Sequence, residues 1–309
     1  MKKLVLVYNP QSTHHDRVKQ EVLTTIRTLP GWMVAKLEVK PVSLMENAQR
    51  LSRILDDGDL VIVAGGDGTA AIAVNGIIES SKQATLGVLG YGYFNDLAHT
   101  LSTMHPVEYG DEYLGGVREI VHKFDAGEVR DFYPLEVRVD NKLWRYAACY
   151  TTMGMSAEVT DLFEQREVRK HMPHTSHLRS YFRVALWYYR NRKKNKFLPT
   201  LRLNGEVRSE TTDIIALNTP YMAKVMHGDE WYRDNKHFAA GGFWLRKSWP
   251  LFKFMMKSMF KKVPLTKVEQ LKVEFDQPTD MTIQAEGELE KLAQVKQIKI
   301  TKGPKIVVI

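Results

Sequence analysis

The chain has 309 residues, 44% hydrophobic and 26% charged, which excludes a disordered chain and leaves room for two domains. No apolar run approaches the roughly 18–20 residues that span a bilayer, and the run after Lys3 is too short for a signal-peptide core. Net charge is +8, and the single cysteine, Cys149, excludes an internal disulfide, which points to a reducing, cytoplasmic setting.

In chain order, LVLVYN (4–9) reads as a buried strand, and residues 16–29 as a helix with Val18, Val22, Leu23 and Ile26 on one face. A strand at 32–39 and a helix at 44–55 follow, then a strand at 59–66, a helix over Thr69 to Glu79 and a strand at 85–90. Such alternation predicts a doubly wound parallel sheet over residues 1–125, with ligand-binding loops 9–13, 65–69 and 90–96 at the carboxyl ends of its strands. After Asp125 the texture changes. Strands 134–139 and 143–150 form a hairpin at Asp140-Asn141, and further strands are expected at 200–204, 212–218, 267–275, 280–285, 296–301 and 305–309. Helices near 157–170, 178–194 and 249–261 interrupt them. The expected fold is α/β: a parallel-sheet domain (1–125), then a mostly antiparallel β-rich domain with inserted helices (126–309), whose last 10–15 residues are candidates to pack back on the first.

Gly65-Gly66-Asp67-Gly68-Thr69 lies between a strand and a helix. Glycines let backbone approach a phosphate, and helix-start amides favour negative charge. Asp67 inside that turn makes sense if it holds a cation or a water on one. A tight turn with Asp67 as helix cap is the plainer alternative.

This segment resembles the nucleotide-binding signature of diacylglycerol kinase-type lipid kinases, a superfamily that includes NAD kinases. Asn9-Pro10-Gln11-Ser12, Gly92-Tyr93-Phe94-Asn95-Asp96-Leu97-Ala98, Phe124-Asp125-Ala126-Gly127-Glu128-Val129, Gly154-Met155-Ser156-Ala157-Glu158-Val159 and Glu286-Gly287-Glu288 are similar to further family motifs, in the family's order. The resemblance implies an ATP-dependent lipid kinase with Mg²⁺ organised by Asp67, Asp96 and Asp125. It implies that Asn9, Pro10, Ser12, Gly65, Gly66, Asp67, Gly68, Thr69, Gly92 and Asn95 line the nucleotide. Glu286 would be the general base, supported by Glu288, with Asp67 also counted in the catalytic set. Tyr93 stands where the family has Thr, Glu286 where it has Asp, and residues 233–238 match the family's D-G-x-L-x-V turn poorly. A catalytically impaired relative that binds lipid or nucleotide is the alternative.

Charge is uneven. Residues 1–165 carry a net −6, residues 166–208 a net +10 and residues 209–309 a net +4. Residues 178–189 and 249–262 are amphipathic and basic, the second with Lys253, Lys257 and Lys261 on one face. Together they predict contact with an anionic membrane surface and a peripherally membrane-associated protein. A membrane lipid is the expected substrate. Nucleic acid is not an expected partner, since no binding motif for it is present, and a homodimer is left open.

Overall fold

In the computed structural model the described residues are 2–12, 14–92, 94–103, 116–158, 186, 189–190, 199–208, 211–222, 226–227, 232–259 and 264–309. The chain divides into two compact units, one of Met1–Pro134 with Gly303–Ile309 and one of Leu135–Lys302. The division therefore falls at Pro134/Leu135, not at 125.

The first unit is built on β1 (Lys2–Tyr8), β2 (Trp32–Glu38), β3 (Leu60–Gly65), β4 (Thr85–Gly90) and β5 (Arg130–Phe132), joined by the returning β18 (Ile306–Val308). Their order is β2-β1-β3-β4-β18-β5, and all neighbours are parallel except β18 and β5. The inner strands β1 and β3 bury Leu4 to Val7 and Leu60 to Ala64 completely or nearly so, as strands covered on both faces must. On one face, α1 (His15–Arg17) runs through a π-helical segment (Val18–Leu23) into α2 (Thr24–Arg27). Val18, Val22, Leu23 and Ile26 pack there against Leu4, Leu6, Leu60 and Ile62, joined by Ile120 and Val121 of α6 (Val117–Asp125). Burial of one such side chain stabilises by roughly 1.5–3 kcal/mol. α3 (Leu44–Ser52) and α4 (Asp67–Ser80) pack on each other, and right-handed crossovers put them on the opposite face. Ser43 and Glu46 start α3 with a reciprocal capping box. α5 (Asp96–Thr103) follows β4; its Thr and Ser residues give it little signature in the sequence.

The second unit contains β6 (Leu135–Val139), β7 (Lys142–Ala147), β8 (Tyr150–Gly154), β9 (Thr200–Leu203), β10 (Glu206–Arg208), β11 (Asp213–Leu217), β12 (Tyr221–Met222), β13 (Met226–His227), β14 (Phe238–Phe243), β15 (Thr266–Val268), β16 (Leu271–Ala285) and β17 (Glu288–Lys302). Ten of them form one antiparallel sheet along β15-β14-β11-β8-β16-β17-β6-β7, with β9 on β16 and β10 on β9; β12 pairs only with β13. Its core includes Leu135, Val137, Met153, Ile214, Phe238, Ile283, Ile298 and Ile300. Asp140-Asn141 turns with φ of 47° and 65°, both positive as a two-residue type I′ hairpin requires. The strands expected at 267–275 and 280–285 are in fact the short β15 and most of the long β16, whose pairing with β17 shifts register between Glu274 and Met281. The helix expected at 249–261 is α7 (Ser248–Met259). Those expected at 157–170 and 178–194 lie almost wholly outside the described residues, as does Tyr93. Among the described residues no helix is long and apolar enough to cross a membrane.

Candidate active site

Three loops meet at the carboxyl edge of the parallel sheet. The first follows β1. Asn9 Oδ1 accepts from Gln11 N at 2.9 Å, and Ser12 N donates to Asn9 O at 3.2 Å, so Asn9-Pro10-Gln11-Ser12 is a closed turn. Ser12 Oγ is buried without a hydrogen-bond partner among the described residues. A buried hydroxyl in that state costs free energy unless a ligand meets it.

The second loop is Gly65-Gly66 leading into α4, and the third is Gly92 to Asp96 leading into α5. They touch backbone to backbone. A Cβ on Gly92 would stand 2.4 Å from Gly66 Cα, so a side chain there would drive the loops apart. Asn95 adopts φ of 54° and clamps Gly92 from both sides, Oδ1 accepting from Gly92 N at 2.6 Å and Nδ2 donating to Gly92 O at 2.8 Å. Thr69 is buried beneath Gly65.

Asp67 joins these two loops. It is the first residue of α4, yet its carboxylate accepts from the amides of Asn95, Asp96 and Leu97, the last at 3.2 Å. It thus caps the next helix, α5, instead of only its own. Burial pushes its carboxyl above the ordinary aspartate value, and the amides pull it back in part. Asp96 is buried next to it.

Asp125 does not join this pair. It ends α6, which descends from the carboxyl edge, and it pairs with Lys2 at the amino end of β1 at 2.7 Å. About 20 Å of strand separates that end from the loops. Among the described residues no three His, Cys, Asp or Glu side chains converge on a metal position. The expected convergence of three aspartates is therefore reduced to Asp67 and Asp96. Asn9, Pro10, Ser12, Gly65, Gly66, Gly92 and Asn95 belong to the three loops, and Gly68 and Thr69 to the first turn of α4.

The second unit places Glu286 at the tip of the β16–β17 hairpin. Glu286 and Gly287 take φ of 53° and 88°, again a type I′ pattern. Glycine suits such a position; glutamate seldom occupies it. Glu286 is 6% exposed, and its Oε1 accepts from Cys149 N at 2.6 Å. Glu288, one residue past Gly287, is exposed.

Several neighbours of Glu286 were not evident from the sequence. Asn218 donates from Nδ2 to Ala148 O and from its backbone N to Cys149 O, both at 2.7 Å, so it braces the loop that holds Glu286. Lys302 Nζ donates to Asn218 Oδ1 and to Tyr232 O. Burial lowers Lys302 to about 8, against an opposing pull from Asp234. Arg145 and Trp144 both bond to Glu290 Oε2, at 2.8 and 2.7 Å. Burial pushes the Arg145 guanidinium down, and Glu290, Glu288 and Glu286 push it back up. The one sequence signal for Arg145 was its parity with the buried Ala147 and Cys149. In the Gly154–Val159 motif, Ser156 donates from N and Oγ to Asp213 at 2.8 and 2.7 Å. Burial raises Asp213 to about 7.

The diacylglycerol kinase catalytic domain family matches residues 3–129. A diacylglycerol kinase of Staphylococcus epidermidis strain RP62A is 33% identical over 148 residues, 46% of this chain and 44% of that protein. A diacylglycerol kinase of Bacillus subtilis strain 168 is 33% identical over 91 residues, 29% of each. The matched stretches thus span less than half the length of these curated relatives. A diacylglycerol kinase crystal structure from Bacillus anthracis superposes with a TM-score of 0.60 and 15% identity, over 100% of this chain and 96% of that one. The fold of both units is thus the one seen in that structure, and residues 3–129, which carry the GGDGT turn locked to the Asn95-Asp96 loop, match the diacylglycerol kinase catalytic domain family.

Proposed function

We propose that the protein is an ATP-dependent lipid kinase that phosphorylates the hydroxyl of a membrane lipid of the diacylglycerol class. The observation that carries this reading is the junction at Asp67, where one carboxylate ties the GGDGT turn to the start of α5. The N-terminus of α4 opens at this junction, and such an end favours phosphate, whereas that of α5 is already capped by Asp67. The buried Ser12 hydroxyl supplies a further group for a polar ligand.

Mg²⁺ fits the residues present. It is usually bound by one or two carboxylates together with substrate phosphates and waters, and Asp67 and Asp96 provide that pair. When bound, it would neutralise charge on the phosphate oxygens. The remaining work belongs to the chain. The loops after β1, β3 and β4 orient the nucleotide. Glu286 accepts the proton of the lipid hydroxyl, whose oxygen bonds to the terminal phosphorus as ADP leaves. Cys149 N holds one Glu286 oxygen in place, and Asn218 fixes the Cys149 segment.

A lipid acceptor requires access to a membrane surface. On α7, Trp249 is 71% and Phe252 53% exposed; the two rings stack at 5.8 Å, and Lys253 and Lys257 are exposed on the same helix. Exposed aromatics next to lysines suit the headgroup region of an anionic bilayer.

Incubating the protein with γ-labelled ATP, Mg²⁺ and a mixed lipid extract tests the reading. Label in a lipid phosphate monoester supports it. Nucleotide binding with no label transferred to any lipid would favour the binding-protein alternative.

A further inference from the structure

Arg145 is a buried cation with donors left over. The pairing of β6 and β7 shifts register after Val137, so that Arg145 lies opposite Val137 and Leu143 opposite Arg138, with Trp144 bulged between them. The bulge lets two consecutive residues, Trp144 and Arg145, reach the same Glu290 oxygen. The guanidinium also stands 3.8 Å from the centroid of the Trp144 ring. Arg145 is 7% exposed, and only its Nη2 bonds to Glu290. Nε and Nη1 are buried with no partner among the described residues.

A latch between β7 and the β16–β17 hairpin needs the Nη2 contact alone. It leaves unexplained why a fold would bury a guanidinium with two of its three nitrogens unspent, an expensive arrangement for a charged donor. The surroundings describe what would complete it. A guanidinium offers only donors, so the missing group is an acceptor. Glu286 and Glu288 act electrostatically on Arg145 beyond the bonded Glu290, so carboxylates outnumber the cation and an anion would be repelled. The acceptor is therefore an uncharged oxygen. Trp144 packs against the apolar core of this unit, which suits a carbonyl attached to a hydrocarbon chain.

We infer that Arg145 is a specificity residue of the acceptor site, its Nε–H and Nη1–H groups receiving the uncharged carbonyl oxygen of an acyl lipid whose hydroxyl lies at Glu286. This rests on the lipid-kinase reading and adds to it the group by which the acceptor is chosen. Ester and amide lipids share that carbonyl; ether lipids lack it.

The test is equilibrium binding of the full chain, without nucleotide, to lipids in nonionic detergent micelles. Diacylglycerol, ceramide, phosphatidylglycerol and a dialkylglycerol of equal chain length are compared. The wild type should bind diacylglycerol or ceramide at least about tenfold more tightly than dialkylglycerol, the scale of a lost partner for a buried donor. Arg145→Met should bind diacylglycerol and dialkylglycerol alike. Glu290→Gln, which loosens the latch but keeps the guanidinium, should retain the discrimination. Equal binding of diacylglycerol and dialkylglycerol by the wild type overturns the proposal, and that arm needs no variant to fold. Discrimination that persists in folded Arg145→Met, or a preference for phosphatidylglycerol, overturns it as well. Turnover is measured separately. Discrimination without phosphoryl transfer would sink the kinase reading and leave the Arg145 contact standing, and transfer without discrimination would do the reverse.

Discussion

Asp67 joins two roles at one residue, and substitution separates them. Asn keeps the size and one acceptor but loses the charge and turns an NH₂ toward amides that also donate. Asp67→Asn should cost about 1 kcal/mol in stability, the usual worth of a cap, and lower turnover by more than about a hundredfold, the scale of a lost electrostatic contact at a reacting group. Thermal unfolding and initial rates on the same preparation check this; a lowered melting temperature with unchanged rate would reduce Asp67 to a cap. Lys302 gives a pH test. Its folded value of about 8 lies below the ordinary 10.5, so folding disfavours its charged form. The stability tied to it is therefore present above pH 10.5 and lost as pH falls through 8. Relative to Lys302→Met, the wild type should gain stability between pH 8 and 10.5, by at most about 3 kcal/mol. Urea unfolding at both ends of that window measures it, and a constant difference would contradict the buried-lysine account.

At the scale of elements, α7 carries the membrane proposal. Trp249→Ser with Phe252→Ser removes two exposed rings and leaves the buried Leu251 untouched. The double variant should keep its fold and sediment less with anionic vesicles. Added salt should weaken wild-type sedimentation through Lys253 and Lys257. Equal sedimentation of both proteins would place the contact elsewhere. Much at this scale was legible. The apolar runs of β1, β3 and β4 and the Asp140-Asn141 turn could be read because each depends on local periodicity or turn chemistry. β14 could not, because Gly241 and Gly242 break its pattern. Gly242 is there because a Cβ would stand 2.4 Å from Leu201 Cδ2, a contact between distant segments. Asp125 was misplaced for a related reason. A motif gives neighbours in sequence, but α6 carries its last residue about 13 Å down the sheet at 1.5 Å per residue. Arg145, Asn218 and Lys302 were missed because their meaning lies in partners seventy or more residues away.

Across the molecule, the chain crosses between its units twice, and the last seven residues return to the first. β18 is inserted between β4 and β5, with Ile306, Val308 and Ile309 buried. Removing residues 303–309 deletes three buried side chains worth roughly 1.5–3 kcal/mol each and leaves β5 without a partner. The loss approaches the whole stability of a typical domain, about 5–15 kcal/mol. The truncated chain should show an early unfolding transition in the first unit and lose nucleotide binding, as calorimetry with and without ATP would report; an unchanged first transition would contradict the role of β18. The proposed function gives the two units separate tasks, nucleotide to the first and proton acceptance to Glu286 in the second. The most direct test of that assignment is the rate of phosphoryl transfer from ATP to diacylglycerol by Glu286→Gln, with its ATP affinity measured in parallel. Gln keeps an oxygen for the Cys149 amide but cannot take the proton. The account predicts a rate lower by roughly 10²–10⁴-fold, the range of general base catalysis, with ATP affinity unchanged. A Gln variant as fast as the wild type would contradict it.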